Sequence, residues 1–219
     1  MFEQLMQLPL FQGVSNERMT SLVEKLPFHF LKFHDGDTII SAGDECTHIR
    51  FIVSGSVRVN TKFENLNIKL GQTLDSPHVL GAEAMFGINT AYPYTVQSQG
   101  TCGILQLLKS DYVKVLQSDK VFLFNILNYL SSNAHRFTHS LLQTRSEFSS
   151  LMLYPLVMPM SRDVTLTFKQ RDLCHLLGLQ RTTFIKRLNT LQEQGLIEWT
   201  TNEIKILDPK EITKLLYTP

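Results

Sequence analysis

The chain has 219 residues, 43% of them hydrophobic, which suits one large or two modest globular domains. Its formal net charge is +1; residues 1–163 carry 13 basic and 14 acidic side chains, and residues 164–219 carry 8 and 6. This balance excludes a globally basic body, so any DNA affinity must come from a local patch. With neither a long apolar run nor a signal-like N-terminus, the sequence predicts a cytoplasmic protein without a membrane partner.

The first predicted elements are a short helix and then a series of strands. Ser15 is placed to cap the helix, whose apolar face is formed by Met19, Leu22, Val23 and Leu26. From Phe28 to Leu108 the pattern is strand-like, with glycine turns. Before the turn at Ser54-Gly55, Ile49, Phe51 and Val53 alternate with His48, Arg50 and Ile52. Short strands at this spacing predict an antiparallel sandwich or roll.

A mainly helical region begins at Asp111. Within it, six apolar residues recur at spacings of four and three: Leu123, Leu127, Leu130, Ala134, Phe137 and Leu141. This stripe predicts burial against a twin helix, and therefore a homodimer. It is shorter than a typical coiled coil, and the alternative is a helix packed on its own domain, with Phe122, Ile126 and Tyr129 as the second apolar face. Both arrangements are compatible, with one face of the helix packed on the roll and the other on a partner.

Residues 167–197 give the most informative pattern of the chain. Thr167 and Gln170 have the spacing of a capping box, followed on one helical face by Leu173, Leu176 and Leu177. Gly178 stands where a helix would end. Gln180 then opens a second helix, whose apolar side is formed by Phe184, Leu188 and Leu191. This layout predicts a helix-turn-helix, in which the second helix enters the major groove of DNA.

The outer face of that second helix has side chains that suit DNA. It carries Arg181, Thr182, Ile185, Lys186 and Asn189. Arginine and lysine can bind guanine acceptors, and threonine can reach a phosphate or a base edge. The alternative is a solvated basic helix on an unrelated domain. After Gly195, two short apolar runs around a polar turn at 200–203 predict a β-hairpin wing, on which Trp199 packs.

Metal and catalytic patterns are weak. The three cysteines, Cys46, Cys102 and Cys174, are far apart. This spacing predicts reduced thiols and disfavours a disulfide framework, a zinc site or an iron–sulfur cluster. No catalytic triad, metal-ligand cluster or phosphate-binding glycine loop stands out. We therefore expect a protein that is not an enzyme.

Over essentially its whole length the chain resembles the bacterial cyclic-AMP receptor protein and FNR family of transcription regulators. The resemblance is carried by Leu8-Pro9-Leu10-Phe11, Gly43-Asp44, the run Phe51-Ile52-Val53-Ser54-Gly55-Ser56-Val57 and the helix-turn-helix at 173–191. It implies an α+β fold in three parts: an antiparallel β-roll (a double-stranded β-helix of cyclic-nucleotide-binding type) at 1–118, a long dimerisation helix at 119–145 and a C-terminal winged helix-turn-helix at 146–219. It also implies a hinge near Arg145-Ser146-Glu147.

The function implied by the resemblance is that of a homodimeric, sequence-specific DNA-binding transcription regulator. The implied DNA-binding residues are Gln180, Arg181, Thr182, Thr183, Lys186 and Arg187, with Arg181, Thr182 and Lys186 reading bases. Thr182 stands where cyclic-AMP-responsive members often carry glutamate, so their operator cannot be transferred. The implied partners are palindromic double-stranded DNA, a second copy, RNA polymerase and an unidentified small-molecule effector. The alternative function is a β-roll regulatory subunit that acts on a partner protein.

The effector pocket implied by the resemblance is formed by Gly81, Glu83, Ala84, Tyr92, Tyr94 and Thr95. Members that bind cyclic nucleotides have Gly-Glu-Leu and then Arg-Ser, whose arginine pairs with the cyclic phosphate. Here Tyr92-Pro93 replaces Arg-Ser, and no Lys or Arg lies between Lys69 and Lys109.

A buried phosphate without a counter-charge is disfavoured, so cyclic AMP is not the expected ligand. The effector is unknown: the pocket could take a neutral, apolar or cationic molecule, or its own side chains could equally fill it. Haem is a further option in the family, with His78, His135 and His139 as conceivable ligands, but isolated histidines disfavour it.

Overall fold

The structure is a computed structural model that describes residues 2–63, 66–142 and 160–212. It has two compact units, one formed by residues 1–58 and 74–133 and the other by residues 59–73 and 134–219. The predicted hinge at 145–147 lies outside the described residues, as does the boundary between residues 145 and 146. The three predicted domain ranges therefore stay a prediction.

The first unit is an antiparallel β-roll with helices on either side of it in the sequence. Its helices are α1 (Phe2–Met6), α2 (Asn16–Lys25), α3 (Lys109–Ser118) and α4 (Lys120–Leu142), which continues into the second unit. Its strands are β1 (His29–Phe33), β2 (Thr38–Ile40), β3 (His48–Lys62), β4 (Ile68–Asp75), β5 (His78–Leu80) and β6 (Thr95–Leu108). Strand β6 pairs with β1 and β2, and β3 pairs with β5, all antiparallel. The predicted roll is confirmed.

Aromatic side chains from three elements form the centre of this unit. The Phe11 ring meets the rings of Phe51 and Phe122 edge-on, at centroid distances of 5.4 and 5.8 Å. Because Phe51 lies on β3 and Phe122 on α4, these contacts join the start of the long helix to the roll. Edge-to-face aromatic pairs of this kind stabilise a core beyond the area they bury. The predicted alternation along β3 is incomplete, since Ile52 is buried together with Phe51.

The predicted cap of the first long helix is confirmed. Ser15 is the N-cap of α2, and its hydroxyl accepts a hydrogen bond from the Arg18 backbone N–H at 3.3 Å. One of the four N–H groups that a helix start leaves unpaired is thereby satisfied. Met19 then lies on the buried face of the helix.

The second unit is a winged helix-turn-helix, as predicted. It contains β7 (Arg162–Phe168), α5 (Gln170–Leu177), α6 (Arg181–Glu193), β8 (Ile197–Trp199) and β9 (Glu203–Ile206). Strand β9 pairs with both β7 and β8, and β7 pairs with β4, whose residues up to Thr73 belong to this unit. Phe184 of α6 is fully buried and meets the Phe168 ring at 6.0 Å and a right angle.

Two details of the helix-turn-helix differ from the prediction. The capping box is wrong, because Thr167 lies in β7, where it pairs with Lys69 and Glu203, and α5 begins at Gln170 after an N-cap residue, Lys169, with no side-chain cap. Because Phe168 also belongs to β7, the helix begins two residues later than a cap at Thr167 would require. Leu176 is 38% exposed, so the buried side of α5 is formed by Leu173 and Cys174 instead.

Candidate nucleic-acid interface and effector site

The orientation of α6 follows from the turn that precedes it. Gly178 has φ +63°, a left-handed conformation that costs glycine little, and its N–H donates to carbonyls in the last turn of α5. Leu179 then donates to the Cys174 carbonyl at 3.0 Å, and Gln180 is the N-cap of α6. With Phe184, Leu188 and Leu191 buried in the core, the opposite face of α6 points to solvent.

The structure brings five of the six predicted DNA-binding residues onto that open face. Gln180, Arg181, Thr182, Thr183 and Lys186 are exposed. Arg187 is half-buried and engaged with a neighbour, so it belongs to the edge of the face. No acidic residue occurs on α6 before Glu193. The first turn of α6 therefore combines the backbone N–H groups of a helix start, the positive end of the helix dipole and the cationic side chain of Arg181, which together favour an anion.

The wing is built as predicted, with a tight polar turn. The Thr200 N–H donates to the Glu203 carbonyl at 2.8 Å, and the Thr200 hydroxyl donates to Asn202 Oδ1 at 3.0 Å. Trp199 is half-buried and packs on the hydrophobic core of this unit. Its indole therefore holds the wing in place and is not displayed for base stacking.

The tip of the β3–β4 hairpin supports the helix-turn-helix in a way the sequence did not suggest. Five residue pairs align β4 with β7, from Ile68 opposite Phe168 to Thr73 opposite Arg162. The Asn67 side-chain amide and backbone N–H donate to Asp172 Oδ2 at 3.0 and 3.4 Å. Asp172 lies in the first turn of α5, so the hairpin tip holds the start of the first helix of the motif.

These hydrogen bonds predict a pH-dependent contribution to stability. Donation from the Asn67 side chain, followed by its backbone N–H and by Arg171, lowers the pKa of Asp172. The unfolded pKa is about 3.9, so the carboxylate stabilises the folded unit above that pH and the stabilisation is lost as pH falls through the lower folded pKa. We expect Asp172→Asn to lower the melting temperature at pH 7, and the difference from wild type to shrink as pH is lowered towards 3.

Differential scanning fluorimetry from pH 3 to pH 8 measures this effect. Asp163→Asn is a suitable control, because Asp163 is an aspartate of the same unit whose side chain is more than half exposed. A constant difference between wild type and Asp172→Asn at all pH values would contradict the assigned role.

The predicted effector residues come together around a buried tyrosine. Gly81 has φ +72° and starts a 3-10 turn at Ala82–Ala84, and a Cβ at Gly81 would lie 2.2 Å from Cε1 of Tyr92. The Tyr92 ring therefore occupies the space beside Gly81, and Tyr92 is 2% exposed. Ala84, the last residue of that 3-10 turn, is also buried. The Thr95 hydroxyl is half-buried and accepts a hydrogen bond from the Ala42 N–H at 3.2 Å.

Two residues that sequence reasoning missed complete this cluster. Arg50 Nη1 donates to the Tyr92 hydroxyl at 2.9 Å, and that hydroxyl donates to Cys46 Sγ at 3.1 Å. Burial, followed by the hydrogen bond to Cys46, raises the pKa of Tyr92. A cation thus reaches the site from β3, far in sequence from the segment between Lys69 and Lys109 that lacks one. The sequence showed Arg50 only as a polar residue that alternates with Ile49 and Phe51 in β3.

The second tyrosine of the segment is also closed off. Tyr94 is 4% exposed, and its hydroxyl donates to Glu83 Oε1. Burial, followed by the Glu83 charge, raises the pKa of Tyr94 well above its usual value, so the phenol stays neutral. The rings of Tyr92 and Tyr94 lie 6.2 Å apart. In the structure both tyrosine rings are buried among the protein's own side chains.

The long helix α4 has one covered and one open apolar side. Phe122 and Ile126 are each 2% exposed, whereas Leu123 and Leu127 are 36% and 51% exposed. Further along the predicted stripe, Leu130 is half-buried and Ala134 is exposed, while the side chains of Phe137 and Leu141 lie outside the described residues. Leu123 and Leu127 are therefore the open apolar residues of the stripe within the first unit.

The histidines considered for haem are not grouped. Burial lowers the pKa of His78 to about 4, so this imidazole is neutral at pH 7. His135 is exposed, and the side chain of His139 lies outside the described residues. Among the residues that the structure describes, no three His, Cys, Asp or Glu side chains are arranged to hold a metal ion, and no helix has the length and hydropathy that a membrane crossing requires.

Comparison with known proteins connects both units to one family. The family model for the cyclic nucleotide-binding domain matches residues 30–119, and the model for the Crp-like helix-turn-helix domain matches residues 135–215. The chain belongs to the cyclic-AMP receptor protein and FNR family. As the family consists of transcription regulators, the chain is a DNA-binding transcription regulator.

Individual relatives are distant. The catabolite activator protein of Thermus thermophilus shares the fold with a TM-score of 0.51 at 16% identity, over 95% of this chain and 98% of that one. The CO-dependent transcription factor CooA of Carboxydothermus hydrogenoformans aligns over 97% of both chains, at 15% identity and a TM-score of 0.43. The potassium channel GORK of Arabidopsis thaliana is 28% identical over 136 residues, which are 58% of this chain and only 16% of the channel's length.

Proposed function

We propose that the chain is a homodimeric regulator that binds a palindromic DNA site through α6 and whose roll responds to a ligand other than a cyclic nucleotide. The observation that carries the proposal is the division of α6 into two faces. Phe184, Leu188 and Leu191 are buried, and the opposite face displays Arg181, Thr182 and Lys186 to solvent. Arginine and lysine there would read guanine, and Thr182 would contact a phosphate, a base edge or a thymine methyl group.

A dimer is supported by the open stripe on α4. Leu123 and Leu127 would each bury apolar area against the same residues of a second copy, a self-complementary arrangement across a twofold axis. One recognition helix contacts only a few base pairs, while two related by a twofold read half-sites about one helical turn apart. Dimerisation would thus supply the affinity that a net charge of +1 does not.

The effector part of the proposal is supported by the packing around Tyr92. For a cyclic phosphate to enter beside Gly81, the Tyr92 ring would have to leave a buried position and Arg50 would have to exchange its hydroxyl partner. We therefore propose that cyclic AMP is not the signal. We propose neither haem nor an iron–sulfur cluster as the group that senses the signal. Because the family consists of transcription regulators, we also propose RNA polymerase as a partner and the cytoplasm as the location.

Selection from a random library of duplexes tests the DNA part of the proposal. The full-length protein should enrich an inverted repeat whose half-sites are about 10 base pairs apart, and retention should fall steeply with salt. The Arg181→Ala, Lys186→Ala double variant is the control and should enrich no sequence. If the wild type retains no duplex, the regulatory-subunit alternative replaces the proposal. Added cyclic AMP should leave retention unchanged, and an increase would overturn only the effector part.

A further inference from the structure

The first unit contains a groove that involves none of the residues of the Tyr92 cluster. The groove, of about 360 Å³, runs between α2 and α3 and reaches the start of α4. This volume falls within the range of small-molecule sites. The groove's floor is apolar and its rim is charged. Arg18, Lys25 and Lys114 line it together with one carboxylate, Asp119.

Beneath the groove lies a small apolar pocket that shares part of its lining. Leu22, Leu26, Val115 and Phe122 line both spaces. The pocket has a volume of about 10 Å³, barely enough for one water molecule. Only one of its lining side chains has a polar atom, the hydroxyl of Tyr112.

That hydroxyl is buried without a hydrogen-bond partner among the described residues. Tyr112 is 4% exposed, and its oxygen is inaccessible and unpaired. Burial raises the pKa of Tyr112, so the group remains a protonated donor. A buried donor without an acceptor is costly, and a water in this pocket would find one side-chain partner where buried waters typically make about three hydrogen bonds. A ligand that brings an acceptor would remove the cost.

The charges at the rim indicate what else the ligand carries. Arg18 pairs with Asp119 at 2.5 Å and Lys114 with Asp111 at 2.7 Å. Lys25 makes no ion pair in the part of the chain that the structure describes, although it lines the same groove. An uncompensated cation beside an apolar floor favours an anionic group on an otherwise apolar molecule.

We infer that this groove binds a small anionic amphiphile whose apolar body carries a hydrogen-bond acceptor. The carboxylate of such a molecule would lie at Lys25, its apolar body would cover Leu22, Leu26 and Phe122, and its acceptor would receive the Tyr112 hydroxyl proton in a hydrogen bond. Phe122 belongs to α4, so an occupant would contact the first turn of the helix that carries the open apolar stripe. The site does not involve the Gly81–Thr95 segment.

Isothermal titration calorimetry with the full-length protein tests this inference. The probe is 5-oxo-5-phenylpentanoate, compared with 5-phenylpentanoate, which lacks the ketone, and with the methyl ester of the probe, which lacks the charge. We expect one site per protomer. Loss of the ketone should weaken binding about 5-fold, the value of one net hydrogen bond, and loss of the charge should weaken it about 3-fold, as for an exposed ion pair.

Two variants assign these differences to residues. Tyr112→Phe should abolish the difference between ketone and non-ketone probes and leave the melting temperature unchanged or raised, because it removes an unpaired hydroxyl. Lys25→Gln should abolish the difference between acid and ester, while the control Lys32→Gln, on exposed β1, should not. No binding at about 1 mM, or differences that survive in these variants, would overturn the inference. None of these measurements involves DNA, so their failure is distinct from failure of the proposed function.

Discussion

Leu127→Glu is expected to convert the protein from a dimer to a monomer and to weaken its binding to a palindromic site by about 10²–10⁴-fold, the gain that joining two binding modules provides. Leu127 is 51% exposed in the single chain. In the proposed dimer it would face its own copy, so the substitution would place two carboxylates opposite each other in an apolar seam. Desolvation and like-charge repulsion both oppose that arrangement.

A matched control is available one residue further along the same helix. Asn128 is exposed and lies on neither the open stripe nor the side that carries Phe122 and Ile126. Asn128→Glu adds the same charge and should remain a dimer with nearly unchanged affinity. Sedimentation velocity gives the oligomeric state, and fluorescence anisotropy on a full palindrome and on one half-site gives the affinities. A dimeric Leu127→Glu protein would show that the stripe is not the interface.

Much of the fold could be predicted because its signals are local. The 4-3 spacing of leucines after residue 122, the glycine at 178 and the polar turn at 200–203 each depend on a few adjacent residues, and α4, the turn before α6 and the wing are present in the structure. Helical periodicity and turn chemistry do not need knowledge of distant partners. The division of α6 into a buried and an open face follows from the same spacing.

The parts that could not be predicted depend on contacts between distant residues. Strand β7 pairs with β4 far earlier in the sequence, with Lys69 opposite Thr167 and Gly71 opposite Thr165. Val164, Leu166 and Phe168 alternate with polar residues as in a half-buried strand. The capping-box prediction was wrong because this alternation and the pairing with β4 outweigh the local Thr167–Gln170 spacing.

The residues of the candidate effector site stay a prediction, and their packing could not be predicted from the sequence. The segment Gly81–Thr95 could be recognised by its resemblance to a cassette, yet the packing of Tyr92 against Gly81 is a matter of side-chain volume that spacing does not reveal. Arg50 reaches Tyr92 from β3, and Cys46 reaches it from the residues before β3, where Glu45 pairs with Ala91. These contacts join residues more than forty positions apart, so the sequence around Tyr92 does not reveal them.

Arg181→Ala is expected to cost about 1–3 kcal/mol on the specific site, or roughly 5- to 150-fold in affinity, and to relax base preference at one position of each half-site. Arg181 is the first residue of α6, is exposed, and follows the N-cap Gln180. Its guanidinium can donate two hydrogen bonds to one guanine, a contact that alanine removes without disturbing the buried side of the helix. Anisotropy titrations on the selected palindrome, on single-base variants and on random duplex provide the comparison.

The decisive quantity is the ratio of the losses on specific and random DNA. Arg171→Ala is the control, because it removes an equal charge from a residue of the same unit whose side chain is 90% exposed. That variant should change the affinity for both duplexes by the same factor, since the loss of a cation that reads no base acts regardless of sequence. Arg181→Ala should instead weaken the palindrome far more than the random duplex. Equal losses for Arg181→Ala would place its guanidinium on the phosphate backbone and leave base reading to Thr182 and Lys186.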